Sequence, residues 1–212
     1  LANYPKAKRD LQGRLEAKTE DVRAVARQFG KEFFDGGREY GYGGFSYNPR
    51  FWQPVIPAFE KHFGLTQYST VLDVGCAKGF MLHDMAAMVP GISVRGIDVS
   101  EYAIANAIDD MAPFVQVANA TKIPFPDNSF DVVISINTIH NLEQEECAQA
   151  LKEIERVSCG KSFVTVDAYR TEEEKRRMYA WNLTAKTIMS IEEWICFFGE
   201  AGYTGDYFWF VP

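Results

Sequence analysis

The chain predicts an α/β fold: a doubly wound, mainly parallel sheet of six to seven strands, helices on both faces, and an N-terminal helical and aromatic segment. Three observations predict it. Between Thr70 and Val166, short apolar runs alternate with helical stretches, the pattern of βαβ units with right-handed crossovers. A glycine-rich turn, Gly75-Cys-Ala-Lys-Gly79, joins the first strand to its helix. Before it, Asp35 to Trp52 reads DGGREYGYGGFSYNPRFW, with five glycines and six aromatics. That stretch is too glycine-rich for a helix interior and too aromatic for a solvated linker.

The elements follow in order. Residues 1 to about 34 read as helical, with Thr19 an N-cap, Val22, Val25, Ala26 and Phe29 on one face, and Gly30 the stop. A second helix is expected from about Pro49 or Phe51 to Phe63, ending at Gly64. Strands are expected at 70–74, 92–97, 114–117, 131–136 and 162–166, with helices at 80–89, 101–111 and 144–157 between them. Beyond Asp167, helices are expected over 171–179 and 188–200, then an aromatic strand over 203–211. One unit is expected over 1–212: N-terminal helices and lid to 64, a binding core over 65–170, and C-terminal helices and an edge strand from 171.

Composition narrows the function. At 212 residues the chain is long enough to bury a sizeable core. A net charge of −7 disfavours a phosphate-backbone partner, and the best basic cluster, Lys6, Lys8, Arg9 and Arg14, is short and interrupted. No nucleic-acid partner is expected. No apolar run is long enough to span a membrane, and no secretory signal is visible. Cys76, Cys147, Cys159 and Cys196 form no CxxC pair, and His62, His83 and His140 show no ligand spacing. Reduced thiols, no metal and a cytoplasmic location are the expectation.

Val71 to Gly79 carries the strongest signal: an acid on a strand, a glycine turn, then a helix whose N-terminus offers free N–H groups. Two features argue against a pyrophosphate there. Gly75 and Gly79 do not make a GxGxxG, and Asp73 would repel phosphate while suiting a cation.

These residues, with Arg95-Gly-Ile-Asp-Val-Ser100 and Ala118 to Asp131, resemble a class I S-adenosylmethionine-dependent methyltransferase of the small-molecule, type 11-like kind. The resemblance covers about Thr70 to Asp167 and implies a Rossmann-like sheet, usually of seven strands with the last antiparallel. It implies S-adenosyl-L-methionine as cofactor and S-adenosyl-L-homocysteine as product. It assigns Asp73 to the methionine amino group, Gly75, Cys76, Ala77 and Gly79 to the methionine and ribose, and Asp98 with Val99 to the ribose hydroxyls. Asn119 and Ala120 fall at the adenine edge, and Asn137 faces the sulfonium. Ala77 stands where a glycine is usual, and Asn119 where an aspartate is commoner.

For the acceptor, three places are candidates. His140, after the fourth strand, is a candidate base beside Asn137. Asp167 is a candidate acceptor of a substrate proton, and Tyr169 and Arg170 beside it are candidate substrate contacts, the arginine as a clamp for an anion. Tyr179 to Asn182 is a candidate wall. Tyr40, Tyr42 and Tyr47, among mobile glycines, are expected to form a lid that excludes water. The reading is transfer of a methyl group to oxygen or nitrogen of a small polar metabolite, an anionic one being accommodated through Arg170 or Arg50. Competing readings are a non-catalytic cofactor-binding or scaffold protein and an NAD-dependent oxidoreductase. An uncovered aromatic edge at 203–211 also suggests a homodimer.

Overall fold

The computed structural model describes Leu1, residues 3–5 and residues 19–211. The basic cluster at Lys6, Lys8, Arg9 and Arg14 lies outside the described residues.

The centre is a seven-stranded sheet. Its strands are β1 (Thr70–Val74), β2 (Ser93–Asp98), β3 (Val115–Val117), β4 (Val132–Ile136), β5 (Ser162–Tyr169), β6 (Met189–Ser190) and β7 (Asp206–Phe210). The order is β3-β2-β1-β4-β5-β6, with β7 also on β5. Every described ladder is parallel, β5 to β7 included, where Phe163 faces Asp206 and Asp167 faces Phe210. This corrects the expected antiparallel last strand. A helix carries the chain back across the layer before β7, so β7 must enter from the same end as β5.

Strand alternation divides two cores. On β1, Leu72 and Val74 join Val133, Val164 and Val166 under one helical layer, while Val71 joins Val94, Val132 and Ile134 under the other. The first layer is α6 (Gln144–Val157) and α8 (Ile191–Ala201); the second is α3 (Ile56–Phe63) and α4 (Phe80–Met88). In α6, Cys147, Ala150, Leu151, Ile154 and Val157 form the buried stripe. Glu143 and Glu146 cap its start reciprocally, and Ser190 and Glu193 do the same for α8. Gly64 and Gly202 end α3 and α8 in the left-handed region, as read from the sequence.

Other boundaries moved. Thr19 does cap a helix, α1 (Glu20–Ala26), but this stops before Phe29, which has φ +49°. Gly30 is instead the N-cap of a short α2 (Lys31–Asp35). The helix after β2 is only Glu101–Ala105 (α5). β5 runs on to Tyr169 and all eight of its residues are buried, because β4, β6 and β7 all pair with it. Asp167 therefore lies inside a strand, not beyond it. A charged helix, α7 (Glu172–Trp181), follows with Thr171 as its cap. On β7, Tyr207 and Phe208 remain exposed. No helix among the described residues is long and apolar enough to cross a membrane.

Candidate active site

The strand order reverses between β1 and β4, and open α/β sheets bind ligands at the carboxyl ends beside that reversal. A cleft of about 410 Å³ lies there. Its floor is Gly75 and Ala77 after β1, Asp98 and Val99 at the end of β2, and Asn137 and Thr138 after β4.

The turn after β1 is tightly determined. Gly75 has φ +89°, and a Cβ added there would collide with the side chain of Thr138. Gly75→Ala should therefore cost about 2–4 kcal/mol from backbone strain and overpacking together. At this chain length that lowers the thermal midpoint by roughly 5–15 °C, and an unchanged melt would refute the account. Ala77 also sits in the left-handed region, at φ +49°, where glycine would be unstrained. The Asp98 carboxylate holds it there: Oδ2 accepts from the Ala77 N–H at 2.8 Å and Oδ1 from the Ser100 N–H at 2.8 Å.

Asp73 has 4% exposure and accepts no hydrogen bond from a described residue. Burial first, and the charge of Asp98 second, push its carboxyl up to about 8. Burial raises Asp98 as well, against the pull of the two backbone donors. Two carboxylates beside one turn repel each other, and a cation between them would relieve both.

Of the expected cofactor contacts, Gly75, Ala77, Asp98, Val99, Asn119, Ala120 and Asn137 line the cavity, and Asp73, Cys76 and Gly79 do not. Cys76 is buried against Gly96, where the missing Cβ leaves room for its sulfur, and its N–H is already given to Ile97 O. Gly79 is the N-cap of α4, and its N–H goes to Cys76 O. Asn119 and Ala120 do line the cleft, but the Asn119 Oδ1 accepts from the Thr121 N–H and hydroxyl, so its oxygen is committed to its own loop.

On the β4–β5 side stand Asn137, His140 and Asp167, all on the wall. Asn137 has φ +52°, donates its N–H to Thr165, and accepts the Thr165 hydroxyl on Oδ1 at 2.8 Å. His140 Nδ1 accepts the Asp167 N–H at 3.0 Å. Burial lowers the His140 pKa, with Asp167 acting against that shift. With one nitrogen accepting and the other protonated, the neutral ring has no lone pair to spare in this arrangement. Trp181 and Asn182 reach the wall, whereas Tyr179 is half exposed outside it. Their loop is clamped to the His140 turn, because the Lys186 and Thr187 N–H groups both donate to His140 O.

The aromatic stretch divides. Tyr42 lines the cleft with Phe33 and Phe34, against which it packs. Tyr40 does not line it, and Tyr47 points elsewhere, its hydroxyl donating to buried Asp84 at 2.6 Å. Tyr169 is buried away from the cleft with its hydroxyl on Glu193. Arg170 is on the surface 3.8 Å from Glu174, and Arg50 lies over the Phe51 ring, so neither supplies the expected anion clamp.

A tie that sequence reading missed joins this segment to the glycine turn. Lys78 Nζ donates to both Asp35 oxygens at 2.9 and 2.7 Å and to Phe45 O at 2.9 Å. Asp35 also accepts from the Phe45 N–H and the Tyr102 hydroxyl. A lysine inside a glycine turn and an acid 43 residues earlier were the available signal, but nothing local pairs them. Among the described residues no cluster of His, Cys, Asp and Glu could hold a metal.

A reversed parallel sheet with a glycine turn and strand-end acids over one cleft is the arrangement in which open α/β domains bind ligands. Residues 72–165 match the family described as "Methyltransferase domain". The 27-O-demethylrifamycin SV methyltransferase of Amycolatopsis mediterranei is 26% identical over 145 residues, 62% of this chain and 53% of that protein. The tRNA (carboxymethyluridine(34)-5-O)-methyltransferase of Arabidopsis thaliana is 30% identical over 145 residues, 67% of this chain and 33% of its own length. The crystal structure of MccD protein superposes with a TM-score of 0.56 at 25% identity, over 73% of this chain and 72% of that one. Residues 72–165 thus carry a methyltransferase domain, and the chain is similar over that core to class I S-adenosylmethionine-dependent methyltransferases. It spans about half the length, or less, of the curated relatives it matches.

Proposed function

We propose that the cleft binds S-adenosylmethionine and that the chain transfers its methyl group to an oxygen or nitrogen of a small polar metabolite. The observation that carries this reading is the pair of buried carboxylates, Asp73 and Asp98, beside the Gly75 turn. Their chemistry fits a ligand with an ammonium group and a vicinal diol. Asp98 uses one lone pair on each oxygen for Ala77 and Ser100, which leaves acceptor capacity for two ribose hydroxyls. Residues 65–170 would hold the cofactor, and the flanking segments would shape the acceptor side. The bound cofactor would supply an activated methyl group on a positive sulfur. The chain's task is then to align the acceptor and exclude water. Phe33, Phe34 and Tyr42 do the second as a lid.

The direct test is calorimetric titration of ligand-free protein with S-adenosylmethionine, S-adenosylhomocysteine and NAD. Binding of the first two and not the third is expected; binding of NAD alone would sink the proposal. The pH dependence follows from Asp73. Its carboxyl is mostly protonated below about 8, yet pairing with an ammonium requires the carboxylate. Binding should therefore release a proton, and affinity should rise with pH from 6 to 8 by up to about tenfold per unit. Above that the ligand's own amino group, near about 8, begins to lose its charge. Titrations in two buffers of different ionisation heat read the proton directly. Proton uptake at pH 7, or the same profile in Asp73→Asn, would contradict this role.

A further inference from the structure

Arg38 is the one lysine or arginine on the cleft wall among the described residues, and the acids Glu39 and Asp98 share that wall. It sits on a closed loop. Lys78 and the Phe45 N–H both hold Asp35, the Tyr42 N–H donates to Phe33 O at 2.9 Å, and the Gly44 N–H donates to Phe34 O at 3.1 Å. Within that loop the arginine is itself pinned. Its Nη1 donates to Tyr42 O, and its stem crosses Gly43, where an added Cβ would lie 2.8 Å from Arg38 Cδ. The Glu39 carboxylate lies back over Gly37, and no carboxylate among the described residues forms an ion pair with the guanidinium. A fixed cation is thus exposed at the mouth of the cleft with most of its donors unspent.

We propose that Arg38 receives the methyl acceptor by a carboxylate, so that the substrates of this cleft are small carboxylic acids. The inference rests on the methyl-transfer reading and names the substrate class left open there. A guanidinium presents paired N–H groups in one plane, which match the two oxygens of a carboxylate. Because the loop already holds the stem, little freedom is lost when the anion docks. A phosphate offers similar oxygens, but its second charge meets Glu39 and Asp98 on the same wall, which favours the singly charged group. The cofactor has a carboxylate too, and two observations set the guanidinium apart from it. Arg38 is exposed at the mouth, whereas Asp73, the proposed ammonium seat, is 4% exposed beneath the floor. Asp73 responds to burial and to Asp98, and Asp98 to burial and its two backbone donors, so Arg38 acts on neither. A carboxylate one carbon from the ammonium belongs with that floor. Phe33, Phe34 and Tyr42 line the same side of the cleft as Arg38, which suits an acid carried on a ring.

The test uses protein saturated with S-adenosylhomocysteine and three probes of one shape: 4-hydroxybenzoate, 4-hydroxybenzamide and 4-hydroxyphenyl phosphate. Nitrogen NMR of arginine-labelled protein follows the Nε–H signal that Arg38→Met removes. A saturable shift with the benzoate at millimolar concentration is expected, with none from the amide and a weaker one from the phosphate. Ligand-observed NMR should show the benzoate bound about tenfold to 100-fold more weakly by Arg38→Met, as loss of hydrogen bonds to a charged group does. Arg38→Lys, which keeps the charge without the fork, should fall between. No shift from the benzoate, or an equal one from the amide, overturns the proposal, and tighter binding of the phosphate overturns the choice of carboxylate. Calorimetry with S-adenosylhomocysteine and its decarboxylated analogue checks the other assignment. Arg38→Met should bind both as wild type does, and a loss confined to the ligand with the carboxylate would give the guanidinium to the cofactor and overturn the proposal. Wild-type protein that binds neither refutes the parent reading instead, and benzoate titration of the unloaded protein then still reads Arg38 on its own.

Discussion

Asp98→Ala should weaken S-adenosylmethionine binding at least about 100-fold, the largest effect expected of any single change in the cleft. Hydrogen bonds to a charged acceptor contribute about 1.5–3 kcal/mol each, and the side chain is assigned two of them. A loss of about 3 kcal/mol corresponds to roughly two orders of magnitude in Kd. A second consequence follows from what the carboxylate already does. It holds the N–H groups of Ala77 and Ser100, and Ala77 has positive φ. Removing it frees a strained turn as well as a ligand contact. Asp98→Asn, which keeps an acceptor oxygen, should fall between wild type and alanine. Calorimetry gives the affinities and a thermal melt gives the cost to the fold. Wild-type affinity in Asp98→Ala would place the ribose elsewhere.

The second large effect is expected at Lys78. Asp35 accepts from Lys78, the Phe45 N–H and the Tyr102 hydroxyl. Burial opposes its charge, but these donors outweigh burial and hold its carboxyl at about 2. The Lys78 side chain is 9% exposed and that of Asp35 is 27% exposed, so the pair is screened only in part. Lys78→Met should then cost about 1–3 kcal/mol, below the figure for a fully buried pair, and lower the midpoint by roughly 2–12 °C. Cofactor affinity should also fall, by a coupling of about 0.5–2 kcal/mol, because Phe34 and Tyr42 lie on the cleft side of the tie. A double-mutant cycle with Asp35→Ala should be clearly non-additive. The acid limb gives an independent check. A depressed carboxyl contributes stability above its unfolded value, near about 3.9, and loses it as pH falls toward about 2. Lys78→Met should flatten that limb. Additive variants with unchanged affinity would mean that the tie is incidental.

The sheet was legible because its signals are local. Thr70–Val74 and Val132–Ile136 are apolar runs set off by turn residues, and α6 declares itself by its stripe from Cys147 to Val157. Gly75 and Asp98 were legible for the same reason, each standing at the end of a strand. What escaped depends on partners far away in the chain. Asp167 reads as a loop residue until β7 is seen to cover β5. Nothing near His140 in the chain announces the Asp167 N–H on its Nδ1. Arg170 reads as a clamp until Glu174 is seen beside it. Cys76 shows the same limit at shorter range, since the space for its sulfur is a missing Cβ on the neighbouring strand at Gly96.

The uniformly parallel ladders have a consequence for how the chain reaches this state. No described strand pair is closed by a hairpin, so no two strands can meet through a short turn. The shortest route to a first pair is β2 and β3, and it must pass through α5 on the way. Each later strand closes a longer loop before any pairing rewards it, which places assembly in the slow range for domains of this size. Until β7 docks, β5, the most buried strand of the native sheet, has an open edge, and newly made chain is most exposed to mispairing there.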